Sequence, residues 1–276
     1  NYIGTDASGS SALANGINGV WIGEGAQSNI IGGTTAGERN VISGNENGVW
    51  LQHSGTDYNV ISGNFIGTDA AGLAALGNVY NSVGMMEDPQ NNGTGGATDG
   101  ERNLISGNSS NGVIIWFTGT ISNTVIGNYI GTDASGSLVL GNGDNGVWIG
   151  EGAQENRVGG ATTGERNIIS GNENGVGIGD SDTSHNAVCG DYIGLDVTGS
   201  IALGNTYNGV SLSNGADHNI IGGTSAEQRN VISGNGSNGV IIRATGTMNN
   251  TVSGNYIGTD ASGSSALGNG DNGVWI

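Results

Sequence analysis

Apolar residues along this chain come in short bursts bounded by Gly, Asn or Ser. Between residues 47 and 68 the bursts are Val49-Trp50-Leu51, Asn59-Val60-Ile61-Ser62-Gly63 and Phe65-Ile66-Gly67-Thr68. Each is too short for a helix and rich in β-branched residues, which predicts strands. Alternation puts Val20 and Ile22 on one face and Trp21 on the other, as in a strand buried on one side. A unit of three such strands cannot bury its apolar face alone, but copies stacked ~4.8 Å apart can. Gly and Asn between the bursts suit corners that need positive φ.

The bursts repeat on a strict ruler. Residues 1–22, NYIGTDASGSSALANGINGVWI, return with few changes at 128–149 and again at 255–276, a step of 127 each time. The chain is thus two full units, 1–127 and 128–254, and a partial third, 255–276, which predicts one solenoid cut from a longer array. Within each unit an N-G-V-x-[IL] marker recurs in alternating short and long steps, with Gly19, Gly48, Ser82, Gly112 and Gly146 as its first positions. Short rungs carry a loop such as Thr34–Arg39, and long rungs one such as Ala70–Asn78. The expected fold is all-β: about nine rungs of three short strands, in two alternating types.

Composition narrows the class. Gly makes up 57 of 276 residues, but there is no three-residue period and a single Pro, which excludes collagen. The formal net charge of −18 rests on 24 acidic residues against 6 arginines and no lysine. That balance argues against nucleic acid and anionic membrane as partners and for cations, calcium above all. Cys189 is the only cysteine, so no internal disulfide is expected, and no apolar run is long enough for membrane insertion.

The G-V-x-I and N-x-I-x-G-N motifs resemble the right-handed parallel β-helix repeats of the pectin-lyase-like superfamily, and most closely the Gly/Asn-rich arrays of large bacterial secreted and surface proteins. The resemblance covers all 276 residues. It implies a right-handed parallel β-helix, a secreted or cell-surface location, and a function drawn from stalk, adhesin, lyase or hydrolase. Lyases of that superfamily commonly use Arg or Lys beside carboxylates and calcium. Here only Arg157 and Arg243 stand outside the repeated Gly-Glu-Arg loops of Arg39, Arg102, Arg166 and the related Arg229, which weakens a lyase reading. Those loop arginines are expected to clamp loop to wall.

Two further columns repeat. Asn29, Asn59, Asn92, Asn123, Asn156, Asn186, Asn219 and Asn250 open the second strand of each rung and predict a structural ladder of stacked carboxamides. Asp6, Asp69, Asp133, Asp196 and Asp260 follow Gly-Thr, Gly-Leu or an equivalent turn. Asx turns account for them, with calcium as the alternative if adjacent loops share ligands. No cofactor is required by either pattern.

Positions that break the repeat are the candidates for specific chemistry. Ahead of the Asn ladder stand Glu155, His185 and His218 in three successive rungs, a spacing at which two imidazoles and a carboxylate can hold a metal, with Asp182 and Asp217 to orient them. The outward x of G-V-x-[IL] is Trp21, Trp50, Trp148 or Trp275 in four rungs, a face for lateral assembly or for glycan. Asn92, Asn108, Asn235 and Asn249 begin N-x-[ST] sequons and are candidate glycosylation sites. Carboxylate neighbours occur at Glu87-Asp88 and Asp180/Asp182. The leading expectation is an extracellular structural segment that partners with copies of itself. A carbohydrate-binding adhesin and a polysaccharide lyase or hydrolase are the alternatives.

Overall fold

A computed structural model describes residues 1–276 and shows a right-handed parallel β-solenoid. Three parallel sheets run its whole length. Sheet 1 begins at Tyr2–Ile3 and ends at Tyr256–Ile257, sheet 2 runs from Asn18–Gly23 to Val274–Trp275, and sheet 3 from Ile30–Gly32 to Thr251–Ser253. They hold nine, nine and eight strands, so the chain makes eight full turns and opens a ninth. Each strand pairs with its counterparts one turn before and after, with like opposite like: Val20 with Val49, Trp21 with Trp50, Ile22 with Leu51.

Register follows from the bore of the tube. In the second turn Val49, Leu51, Ile61 and Ile66 point inward and are wholly buried. A slip of one residue would turn each of them to solvent, so the alternating pattern locks the stacking. The second position of sheet 1 is isoleucine in every strand, from Ile3 through Ile42, Ile66 and Ile105 to Ile257. Nine stacked copies fill the bore with a side chain of one shape and one preferred rotamer.

The outer face of sheet 1 is apolar too, and loops cover it. Val41, Phe65, Leu104, Tyr129 and Ile168 form a buried stripe beneath the loops of both rung types. The repeated arginines lie across it: Arg39 on Phe65, Arg102 on Tyr129, Arg166 on Tyr192 and Arg229 on Tyr256, with guanidinium carbons 4.0–4.3 Å from the ring centres. Arg39, Arg166 and Arg229 also donate through Nε to the carbonyls of Gly63, Gly190 and Gly254. The loop-to-wall clamp expected from the Gly-Glu-Arg motif is therefore a stacked cation, held in three of the four loops to the next turn's backbone, while Arg102 pairs with Asp99 of its own loop.

One inward position breaks the rule. Thr94 stands in the column of Ile61 and Val125, fully buried, with no hydrogen-bond partner for its hydroxyl. One unit later the same position is Ile221. A stranded buried hydroxyl costs about 1–3 kcal/mol. Thr94→Val should therefore raise the stability to denaturant by about 1 kcal/mol, measured as a shift of the unfolding midpoint at constant slope; a destabilised variant would show that the hydroxyl is satisfied.

Candidate functional site

Corners of the tube are where polar side chains gather, and asparagine holds them. The predicted ladder is present: each carboxamide from Asn29 to Asn250 donates Nδ2–H to Oδ1 of the next at 2.9–3.1 Å. At Asn59, Oδ1 accepts from both the backbone and the side-chain nitrogen of Asn29, while Nδ2 donates to the Ala26 carbonyl and to Asn92. All four hydrogen-bonding sites of the carboxamide are filled. Two further ladders stand at the other corners. One runs through Asn40, Asn64, Asn103 and Asn128, the other through Asn45, Asn78, Asn108 and Asn142. The sequence reading missed both because loops of unequal length separate their members.

The ladders occupy three of the four sequon asparagines. Asn92, Asn108 and Asn235 are buried to within 2% of full coverage, with Nδ2 engaged in these bonds, so a folded chain cannot present them for glycosylation. Asn249 is exposed.

The aspartates after sheet 1 form Asx turns. Oδ1 of Asp6 accepts from the backbone of Ser10 and Ser11, and that of Asp69 from Leu73 and Ala74. The Ser10 amide, then the Ser8 hydroxyl, hold Asp6 below the usual carboxylate range, and the Ser265 amide leads the same effect at Asp260. At Asp133 and Asp196 burial pushes upward, and hydrogen bonds from Ser135 and Thr198 and from the following amides outweigh it. Each carboxylate is spoken for by its own loop. No three His, Cys, Asp or Glu side chains converge to hold a metal, at these turns or elsewhere.

On the outer face of sheet 2 the tryptophan column is as expected, with Trp21 opposite Trp50. Trp21 and Trp275 are 46% and 49% exposed, while Trp50 and Trp148 are half-buried. What covers the latter two is glycine rather than a loop. A Cβ on Gly84 would fall 2.2 Å from the Trp50 ring, and one on Gly177 2.5 Å from Trp148. Each indole lies flat across the next turn in a slot that only glycine leaves. The glycine at x in the rung after each of these tryptophans was the available signal.

Beside this column, sheet 2 carries a fourth asparagine ladder, largely half-buried, with donation toward the N-terminus: Asn145 to Asn111, Asn208 to Asn174, Asn238 to Asn208. It lines an open groove of about 400 Å³ together with Glu173, Tyr207 and Arg243. Burial, then the neighbouring Asp144 carboxyl, pushes Glu173 above its ordinary range. Arg243 therefore faces a polar groove, whereas Arg157 is tied to Glu165 and the Gly159 carbonyl. Among the carboxylate neighbours, Glu87 is taken up by Gln52 and lies 3.5 Å from His53.

The column ahead of the predicted ladder has a backbone property its residues do not advertise. Ser28, Tyr58, Asn91, Ser122, Glu155, His185, His218 and Asn249 all have φ between 53° and 60°. Only Asn visits that region with ease, so the fold imposes it on the others. Identical backbone angles aim successive side chains in parallel: the His185 and His218 rings stack 5.4 Å apart at 5°. Glu155 stands one turn before them and does not complete a three-ligand group.

Scans against protein-family models and against curated proteins gave no match to this chain.

The most perturbed carboxyl belongs to Asp191, which occupies an Asn position in one of the inner ladders. Oδ1 accepts from the backbone and side-chain nitrogens of Asn167, as an asparagine would, but Oδ2 is buried without a partner. Burial pushes its pKa up to about 7, against the pull of the Asn167 hydrogen bonds, Arg166 and Arg157. Neighbouring Cys189 is a buried thiol raised to about 11, first by burial and then by Asp191. An aspartate whose folded pKa exceeds its ordinary 3.8 binds its proton more tightly when folded. The contribution of Asp191 to stability is thus greatest below about pH 4, falls as pH rises toward 7, and stays lowered above it, opposite in sign to that of the Asx-turn aspartates. Asp191→Asn, which restores the residue found at Asn64, should gain up to ~4 kcal/mol at pH 8 and little at pH 4. Denaturant titrations at the two pH values measure this; an equal effect at both would show that Asp191 is not protonated in the fold.

Proposed function

We propose that this chain is a structural segment of a secreted or cell-surface protein, a stalk or fibre whose work is rigid reach along one axis. On resemblance it falls among the Gly/Asn-rich parallel β-helix arrays of the pectin-lyase-like superfamily. One observation carries the reading: the isoleucine column runs through every turn, and the inner ladders run the length of the tube with a single fault at Asp191. The loop arginines and most asparagines, groups that would do chemistry elsewhere, are consumed in joining one turn to the next, and the Asx-turn aspartates in closing their own loops. Tryptophans at the full 127-residue period, with Trp21 and Trp275 about half-exposed and Trp148 half-buried, favour side-by-side packing of such rods.

A second reading, carbohydrate binding, rests on the open groove. Carboxamides, a tyrosine and an arginine in a shallow polar trough suit the hydroxyls and apolar face of a sugar.

Negative-stain electron microscopy of the purified chain at neutral pH separates the two. Filaments or laterally bundled rods are expected, and Trp148→Ala should loosen the bundles. Uniform single rods about 40 Å long, the length of eight turns at ~4.8 Å, would overturn self-assembly and move glycan binding to the front.

A further inference from the structure

We propose that His185 and His218 bind a divalent transition-metal ion of the zinc type, at an exposed corner of the sixth and seventh turns. Both imidazoles are exposed and lie on adjacent turns of one column with parallel rings 5.4 Å apart. Both are held at Nδ1. His218 Nδ1 meets Asp217 Oδ2 at 2.7 Å, and His185 Nδ1 meets Ser184 Oγ at 3.1 Å. A carboxylate on Nδ1 fixes that nitrogen as the protonated one and leaves the Nε2 lone pair outward, the arrangement by which metal-ligating histidines are oriented. Ser184 and Asp217 are themselves fixed, since they pair across turns in a parallel bridge that continues to Met248.

Geometry sets what must move. Two nitrogens of a tetrahedral zinc site, each bonded at ~2.0–2.1 Å, stand roughly 3.3 Å apart. Rings with centroids 5.4 Å apart and nearly parallel planes must therefore tilt toward each other, so that the two Nε2 lone pairs converge on one ion. Exposed side chains on a rigid corner can do this without disturbing the ladder asparagines Asn186 and Asn219 that follow them. The site has two protein ligands and leaves the remaining positions to water or to a group from another molecule. Glu155, two turns from His218, is outside it.

The repeat supplies variants that keep the backbone. Asn91 and Asn249 occupy this column at φ 57° and 56°, so His185→Asn and His218→Asn place a residue the corner already accepts. Calorimetric titration of the full chain with zinc chloride should show one ion bound per chain. Either His→Asn variant should lose at least tenfold in affinity, and Asp217→Asn about tenfold. His53→Asn and Glu155→Gln should bind as the parent does. Nitrogen-15 spectra of the imidazoles should move at Nε2 of both residues, a signature that loose association with the acidic surface would not give. Absence of binding at millimolar zinc, or full binding by His218→Asn, overturns the proposal. A loss with Glu155→Gln as large as with His218→Asn overturns the two-histidine assignment.

Discussion

The carboxamide of asparagine is the same size and chemistry as a peptide group, and this fold depends on that identity. A tube with a narrow bore must turn its chain sharply three times per rung. Each turn strands backbone N–H and C=O groups that neither sheet can reach. An asparagine at the corner supplies an acceptor with two lone pairs and a donor with two hydrogens, matching what the corner lacks. Asn59 shows the closed account: two bonds in, two bonds out, one to backbone and one to side chain on each side. Removing one member leaves unpaired groups on the turns above and below as well as its own. The requirement passes from each turn to the next, which forces the sequence to repeat.

Asp191 tests the argument from the other side. It keeps the acceptor half of the carboxamide and loses the donor half, and the orphaned Oδ2 is the result. Burial raises its pKa toward neutrality, which favours the protonated carboxyl, an imperfect amide. Thr94 is the equivalent fault inside the bore, a polar atom where Ile221 stands one unit later. Both faults lie on positions whose counterparts in the other unit are ideal, so the internal repeat itself identifies them.

Strands, turns per unit, register and the first asparagine ladder were legible because they are periodic, and periodicity survives translation into space unchanged. What was hidden falls into two kinds. Ladder members such as Asn40 and Asn64 are separated by loops of alternating length, so their alignment exists only in the fold. The left-handed corner column was hidden for a different reason: Tyr58 and Glu155 carry no signature of positive φ, and residues of quite different chemistry share that angle at the same corner. The stacking of His185 on His218 depends on that imposed angle. Spacing alone predicts that they are neighbours but not that their rings are parallel.

A solenoid built this way divides its surface by symmetry, and the division constrains function. Features with the 127-residue period, such as Trp21, Trp148 and Trp275, present themselves once per unit and suit multivalent contact along the axis. Features that occur once suit a single site. His185 and His218 belong to the second kind: their counterparts in the first unit are Tyr58 and Asn91, and that of Glu155 is Ser28. Neither histidine is needed to build the corner, since the corner is built equally well without them. Their placement on one column, with Asp217 against one ring, is therefore not a by-product of the repeat. It is the part of this molecule where the scaffold is neutral to residue identity, and there two imidazoles stack in parallel with a carboxylate on one of them.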